Sequence, residues 1–217
     1  MMVDKHAVAD FRSSIRIVSI LEATRLAGFM TTPLHALHAI AYFADALAPA
    51  WELPVLERQV LKGGGVPTSP DLQRDIDQLV GRAVVLASDI HHLQLCGQWT
   101  LEANYQLNPR FSPRIIEAMS RDATLRRELK FVSEVVLALS GLGLPGIPNA
   151  TQADASYADP NVDEGDLVEL DGDRPSKTSR VTTRLQELLG SSSRLNEAEV
   201  THLYIRHLYA SLGRTDA

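Results

Sequence analysis

His35 and His38 lie three residues apart, and His91, His92 and the single cysteine, Cys96, follow in a second group. These are zinc-binding residue types, yet no matching pair of clusters supplies four ligands at zinc spacing. Asp159, Asn161 and Asp163 begin like a calcium loop. The pattern then fails, because Glu164 stands where the turn needs glycine and Leu170 where a bidentate glutamate belongs. Lys62-Gly63-Gly64-Gly65 is glycine-rich but lacks the Gly-Lys-Ser/Thr that cradles nucleotide phosphates, so a tight connector is expected there. No nucleophile elbow or His-Glu-x-x-His helix occurs. The expectation is a protein that is not an enzyme and holds neither metal nor cofactor.

Charge narrows the partners. Lys and Arg number 21 against 27 Asp and Glu, a net charge of −6, which gives no global attraction to nucleic acid or anionic membrane. Between Thr151 and Pro175 eight acids face one base, Arg174, for a local balance of 1 − 8 = −7. The remainder of the chain is therefore near +1. One cysteine cannot form an internal disulfide, and no run of about 18 apolar residues could span a bilayer. A cytoplasmic protein with no membrane contact is expected.

The elements that must position these groups are mostly helical. Residues 1–10 are expected to fray. Ile15, Val18, Leu21, Leu26 and Phe29 then mark a helix stopped near Gly28. Leu34, Leu37, Ile40, Ala41, Ala44 and Leu47 share one face of a second helix between Pro33 and Pro49. Ser69 and Pro70 open a third, with Leu72, Ile76, Leu79 and Val80 as its buried stripe and Gly81 as its stop. Strands are expected over 83–86 and 100–107, with 91–97 as the loop between them. Helix, connector, helix, strand, loop, strand is the order of a winged helix.

Downstream, Ser112-Pro113 opens a short helix, and a longer one follows from near Ser120 or Asp122 to the Gly141–Gly146 turn region. The acidic segment reads as a long loop with a small strand at Leu167–Leu170, a partner-binding strap as readily as a solvated linker. A helix over 181–189 and another capped by Asn196 and Glu199 close the sequence. The expected fold is α+β, mostly α-helical, with a central winged-helix domain, a two-stranded wing, and helical N- and C-terminal elements. Its segments are an N-terminal helix over 1–30, the winged helix over 31–108, a helical segment over 109–148, the acidic strap over 149–180 and a C-terminal helical segment over 181–217.

The run PLHALHAIAYFADALAPAWELPVLERQVLK, a glycine-rich turn and PDLQRDIDQLVGRAVV together resemble the middle component of bacterial ABC-three-component systems, which overlap with Lamassu-type antiphage defence. The likeness continues through FVSEVVLALSGLG, ADPNVDEGDLVEL and THLYIRHL, and so covers most of the chain. It implies a non-enzymatic adaptor between an SMC-like ABC ATPase and an effector, often a nuclease, with DNA met through the complex. The alternative is a stand-alone winged-helix DNA-binding transcriptional regulator.

Candidate partner-binding residues are Trp51, Trp99, Tyr105 and Tyr157, because exposed aromatics anchor interfaces, together with the strap acids Asp163, Glu164 and Asp166. Each aromatic reads equally as core, Trp51 most of all. Candidate DNA contacts are Arg74 and Arg82 around the third helix, and Arg126, Arg127 and Lys130 further on. Asp71, Asp75 and Asp77 sit among the first pair, so phosphate repulsion weighs against an autonomous sequence reader. Asp122 and Glu128 interleave with the second group and favour a solvated helix face.

Overall fold

The computed structural model describes residues 5–63, 65–95, 98–172, 174–189 and 195–215. The fold is α+β and mostly helical, as the residue pattern indicates. Helix α1 (Lys5–Leu26) leads through β1 (Thr32–Pro33) into α2 (Leu34–Leu47) and a 3₁₀ turn (Ala48–Trp51). Strands β2 (Gln59–Gly63) and β3 (Val66–Thr68) precede α3 (Pro70–Gly81), and β4 (Val85–Leu95) and β5 (Gln98–Leu107) follow it. Then come α4 (Ser112–Arg121), α5 (Ala123–Ser140), α6 (Gly143–Thr151), β6 (Leu167–Glu169), α7 (Lys177–Leu189) and α8 (Glu197–Thr215).

Two small antiparallel sheets sit among these helices. The first has the order β1-β5-β4, with Thr32 opposite Tyr105 and Val85 opposite Leu107. With α1, α2 and α3 this is a winged-helix-like arrangement, and α1 belongs to it because it packs on α2, α3 and β5. The second sheet, β3-β2-β6, is built from the connector between α2 and α3 and from the acidic segment. Gly65, at φ +81°, turns β2 into β3. The core is continuous across the segment boundaries drawn from sequence, running from Ile17 through Phe43 and Phe131 to Tyr204.

Helix α2 is the centre of that core. Every one of its residues except His35 is buried, so it is covered on all sides rather than along the one stripe expected. It meets α1, α5, α6 and α7, and β1, β3 and β5. Such a position forces its polar residues to find partners inside the protein. Asp45 takes Arg16 of α1, whose Nη1 lies 3.2 Å from Oδ1, and the backbone N–H of Leu56 at 2.7 Å. Arg16 is only 2% exposed; its Nε pairs with Glu128 of α5, and its guanidinium carbon lies 5.4 Å from the Phe131 ring centroid. Burial pushes the Asp45 carboxyl up, and the Arg16 charge opposes that shift.

Tyr42, on the same helix, donates to Asp154. Asp154 also accepts the Tyr204 hydroxyl of α8 at 2.6 Å and the Thr178 hydroxyl of α7 at 2.9 Å from each oxygen. Backbone N–H groups of Ser156 and Tyr157 complete the set at 2.9 and 3.2 Å. Burial, and then the charge of Asp154, hold both the Tyr42 and Tyr204 phenols well above their ordinary value, so each remains a donor. One carboxylate thus ties α2, α7 and α8 to the start of the acidic segment.

Several boundaries differ from those read off the sequence. Helix α1 begins at Lys5, inside the stretch expected to fray. Gly28 does end it, in the left-handed region at φ +93°, with Phe29 N–H closing back on Thr24 O at 3.0 Å. Gly81, by contrast, is the last residue of α3, and the left-handed position falls on Ala83 at φ +57°. The Gly141–Gly146 region is mostly helix, because Ile147, Pro148 and Ala150 are buried in α6, which packs on α2. Strand β4 runs on to Leu95 where a loop was expected from His91, and α7 starts at Lys177 rather than 181. The cap of α8 is as expected: Glu199 N–H donates to Asn196 Oδ1 at 3.0 Å and Asn196 N–H to Glu199 Oε2 at 2.8 Å.

Two stability outcomes follow from these contacts. An L-residue in the left-handed region costs about 1–2 kcal/mol, partly offset by the greater unfolded freedom of glycine. Ala83→Gly is expected to raise the urea-unfolding free energy by up to about 1 kcal/mol. Asp154→Ala strands the Tyr42, Tyr204 and Thr178 hydroxyls and is expected to cost about 3–5 kcal/mol in the same measurement.

Candidate protein and nucleic-acid interfaces

Helix α3 occupies the position from which a winged helix reads a partner. Ser69 starts it, its Oγ accepting the Leu72 N–H at 3.1 Å, and Pro70 takes the first turn. His38 of α2 steadies this start. Its Nδ1 accepts the Ser69 N–H at 3.5 Å, while Nε2 lies 3.4 Å from Gln73 Oε1, the pattern of a neutral ring. Burial lowers the His38 pKa, consistent with that state. Leu72, Ile76 and Leu79 face the core, leaving Asp71, Arg74 and Asp77 outside.

The outward face of α3 is occupied by its own contacts. Arg74 Nη1 lies 2.7 Å from Asp71 and its Nε 3.9 Å from Asp75. Gln73 donates to Asp77 at 2.9 Å, and Arg82 to Gln78 at 3.3 Å. Asp75 is buried, so the exposed charges over 70–82 are those of Asp71, Arg74, Asp77 and Arg82, which sum to 2 − 2 = 0. The wing adds no cation among its described side chains. Its bulge between Ser88 and His91 places Asp89 at φ +52°, held by Asn104 Nδ2 at 3.2 Å, and leaves Ile90 exposed.

The aromatic candidates resolve differently from an exposed set. Trp51, Tyr105 and Tyr157 are all buried, which agrees with the core reading favoured for Trp51 and corrects Tyr105 and Tyr157 as exposed anchors. Trp51 packs on Phe131 at 5.4 Å between centroids and donates its indole N–H to Thr201 of α8 at 2.9 Å. Tyr105 lies on β5 opposite Thr32, facing the core. Tyr157 stands edge-on to Tyr42 at 5.8 Å, with its phenol pushed up to about 12 by burial. Cys96 and the side chain of Trp99 lie outside the described residues.

The acidic segment is fastened down. Strand β6 pairs with β2, Lys62 Nζ donates to Val162 O at 2.7 Å, and Gly165 N–H donates to Lys62 O at 2.7 Å. Asp163, Glu164 and Asp166 remain exposed along it. Asp159 is engaged by Lys177 at 2.7 Å, which, with hydrogen bonds from Asn161, holds its carboxyl below the usual value. An ammonium there opposes a cation at the calcium-like sequence. His35 and His38 part company too, His35 turning to Glu102 at 2.9 Å. Among the described residues no group of three or more His, Cys, Asp or Glu side chains is arranged to hold a metal ion.

Two surfaces stand apart from these. A groove of about 880 Å³ opens between the C-terminal half of α5 and α8. Leu137, Leu203 and Tyr209 line it, with Arg206 and His202 beside them; Leu137 is 58% exposed and His202 lies 2.9 Å from Glu134. Sequence reasoning missed this groove. Leu137 lies off the apolar repeat of α5 that runs through Val132, Val136 and Leu139, a detectable signal, whereas Leu203 falls by spacing within the apolar stripe of α8 and is only partly buried. The second surface is the corner of α4 and α5, where Arg126 reaches Ser120 O at 3.5 Å, Arg127 donates to Trp51 O at 2.6 Å, and Lys130 lies 5.9 Å from the Trp51 ring centroid.

Neither a known protein family nor a curated protein matches this chain. No single helix among the described residues is long and apolar enough to cross a membrane.

The His38 environment has a pH consequence. Its folded pKa is lowered, so the folded state binds fewer protons than the unfolded chain near and below the free value of 6.5. Stability is full above that value and falls as pH drops beneath it, by up to about 1.4 kcal/mol per pH unit for this one proton. Urea titrations between pH 7.5 and 5.5 (about one unit either side of the free imidazole value) are expected to show that slope, and His38→Gln to flatten it.

Proposed function

We propose that this chain is a non-enzymatic adaptor subunit linking an SMC-like ABC ATPase to an effector, in a cytoplasmic complex of antiphage or anti-plasmid defence. The observation that carries the reading is the state of α3. At the recognition position of the winged helix, Arg74 is matched by Asp71. The exposed Arg74 and Arg82 are balanced by the exposed Asp71 and Asp77, so the face has no net positive charge to attract phosphate and suits a protein partner better. The groove between α5 and α8 adds an apolar surface with polar edges, of the kind that accepts a partner helix. The resemblance to middle components of ABC-three-component systems supplies the identity of the partners, ATP hydrolysis and cleavage being left to other chains.

In this reading the adaptor couples two binding events. A surface that prefers one state of the ATPase lowers the energy of that state, and the effector docked elsewhere feels the shift. The exposed strap acids Asp163, Glu164 and Asp166 offer a second docking edge, held in place by β6.

Co-expression with the products of the genes flanking its own tests this directly. A long coiled-coil ATPase is expected to co-purify, and Leu137→Glu to lose at least one partner while unfolding within about 0.5 kcal/mol of the parent, as exposed substitutions do. A free, monodisperse chain that binds one DNA sequence selectively through Arg74 or Arg82 would instead establish the stand-alone regulator.

A further inference from the structure

We propose that the corner between α4 and α5 is a contact surface for the phosphate backbone of nucleic acid, separate from the recognition helix and independent of the adaptor reading. In sequence, residues 109–130 carry Arg110, Arg114, Arg121, Arg126, Arg127 and Lys130 against Glu117, Asp122 and Glu128, an interleaving that suggests mutual neutralisation. The tertiary structure removes most of it.

Two of the three acids have another commitment. Glu128 turns inward to the buried Arg16 of α1. The carboxylate of Asp122 caps α5, accepting the N–H groups of Thr124 and Leu125 at 2.9 Å each. Only Glu117 pairs locally, with Arg121 at 2.5 Å. Arg110, Arg114, Arg126, Arg127 and Lys130 are all exposed and, among the described residues, have no carboxylate in ion-pair contact.

Their existing contacts aim rather than neutralise them. Arg127 donates to the Trp51 carbonyl, Lys130 rests near the Trp51 ring, and Arg110 lies 5.7 Å from the Phe111 centroid. A carbonyl or ring holds the side chain and leaves its charge available to an anion. Helices α4 and α5 pack against each other on either side of Asp122, so the two sets lie on adjoining helices. The acidic segment is fastened instead to β2, and among the described residues its acids form ion pairs with Arg58 and Lys177 rather than with these cations. Compared with α3, where Arg74 is matched by Asp71, this corner is the stronger phosphate attractor.

Backbone contact of this kind is independent of base sequence and releases counterions, so it falls steeply with salt. Fluorescence anisotropy of the full chain with a labelled random-sequence duplex and the matching single strand reads it. Binding is expected at low salt to both, with little dependence on sequence. Arg114→Glu combined with Arg126→Glu is expected to weaken it at least tenfold and to reduce the magnitude of the log–log salt slope by about 2. Arg114→Lys with Arg126→Lys is expected to retain binding, and Arg74→Glu to leave it unchanged. Thermal melting confirms that each variant is folded, and Arg114→Gln with Arg126→Gln replaces the charge reversal if it is not. No binding at low salt overturns the proposal. So does a folded α4–α5 variant that binds like the parent, or loss of binding on Arg74→Glu alone.

Discussion

A buried carboxylate, Asp154, is the constraint on which the rest of this fold depends. It stands at the end of α6, where the chain leaves the helical core for the acidic segment, and it is the shared acceptor for α2, α7 and α8. Five different donors reach it, two phenols, one threonine hydroxyl and two backbone amides. A charge in that place is costly without such a shell, and with it the geometry is narrowly specified. Because Tyr42 sits on the wholly enclosed α2, the same contact fixes the C-terminal helices against the winged-helix half. The acidic segment then departs in a set direction, and β6 meets β2.

Arg16 does the equivalent work on the other side of α2. It joins α1 to Asp45 and, through Glu128, to α5, while Nη2 has no hydrogen-bond partner among the described residues. Replacing such an ion set by apolar residues is often neutral or stabilising in other proteins, so its value here is best understood as specifying how the helices meet. The consequence reaches the surface. By drawing Glu128 inward, the core leaves Arg127 and Lys130 outside without that acid's compensation. Core electrostatics and surface electrostatics are therefore two views of one arrangement.

That coupling separates the possible roles of the molecule's faces. The recognition-position helix spends its charge on itself, the α5–α8 groove is apolar with polar edges, and the α4–α5 corner carries cations whose neighbouring acids are occupied. The adaptor role proposed above needs several distinct surfaces on one body, and a continuous core from Ile17 to Leu208 joins them. The groove and the basic corner both use α5, so a partner seated in one would sit on the same helix as a ligand held by the other.

Much of the fold was legible in the residues. The apolar repeat of α2, the Ser69-Pro70 start of α3 and the Asn196/Glu199 box of α8 are local signals, and each one marks its element. Leu167-Val168-Glu169 likewise announced a short strand by alternation alone. Such features depend on neighbours a few positions away, which is the range over which a sequence speaks directly. The burial of Trp51, Tyr105 and Tyr157 was not decided in that way, because an aromatic in a half-apolar setting fits a core or an interface equally well. Nor was the fate of Glu128 and Asp154: whether an acid neutralises its helical neighbour, caps a turn or anchors a distant tyrosine depends on contacts about a hundred residues apart. Local periodicity and capping determined the elements of this protein, while the pairing of its charges, and with it the character of each surface, was decided only when those elements packed.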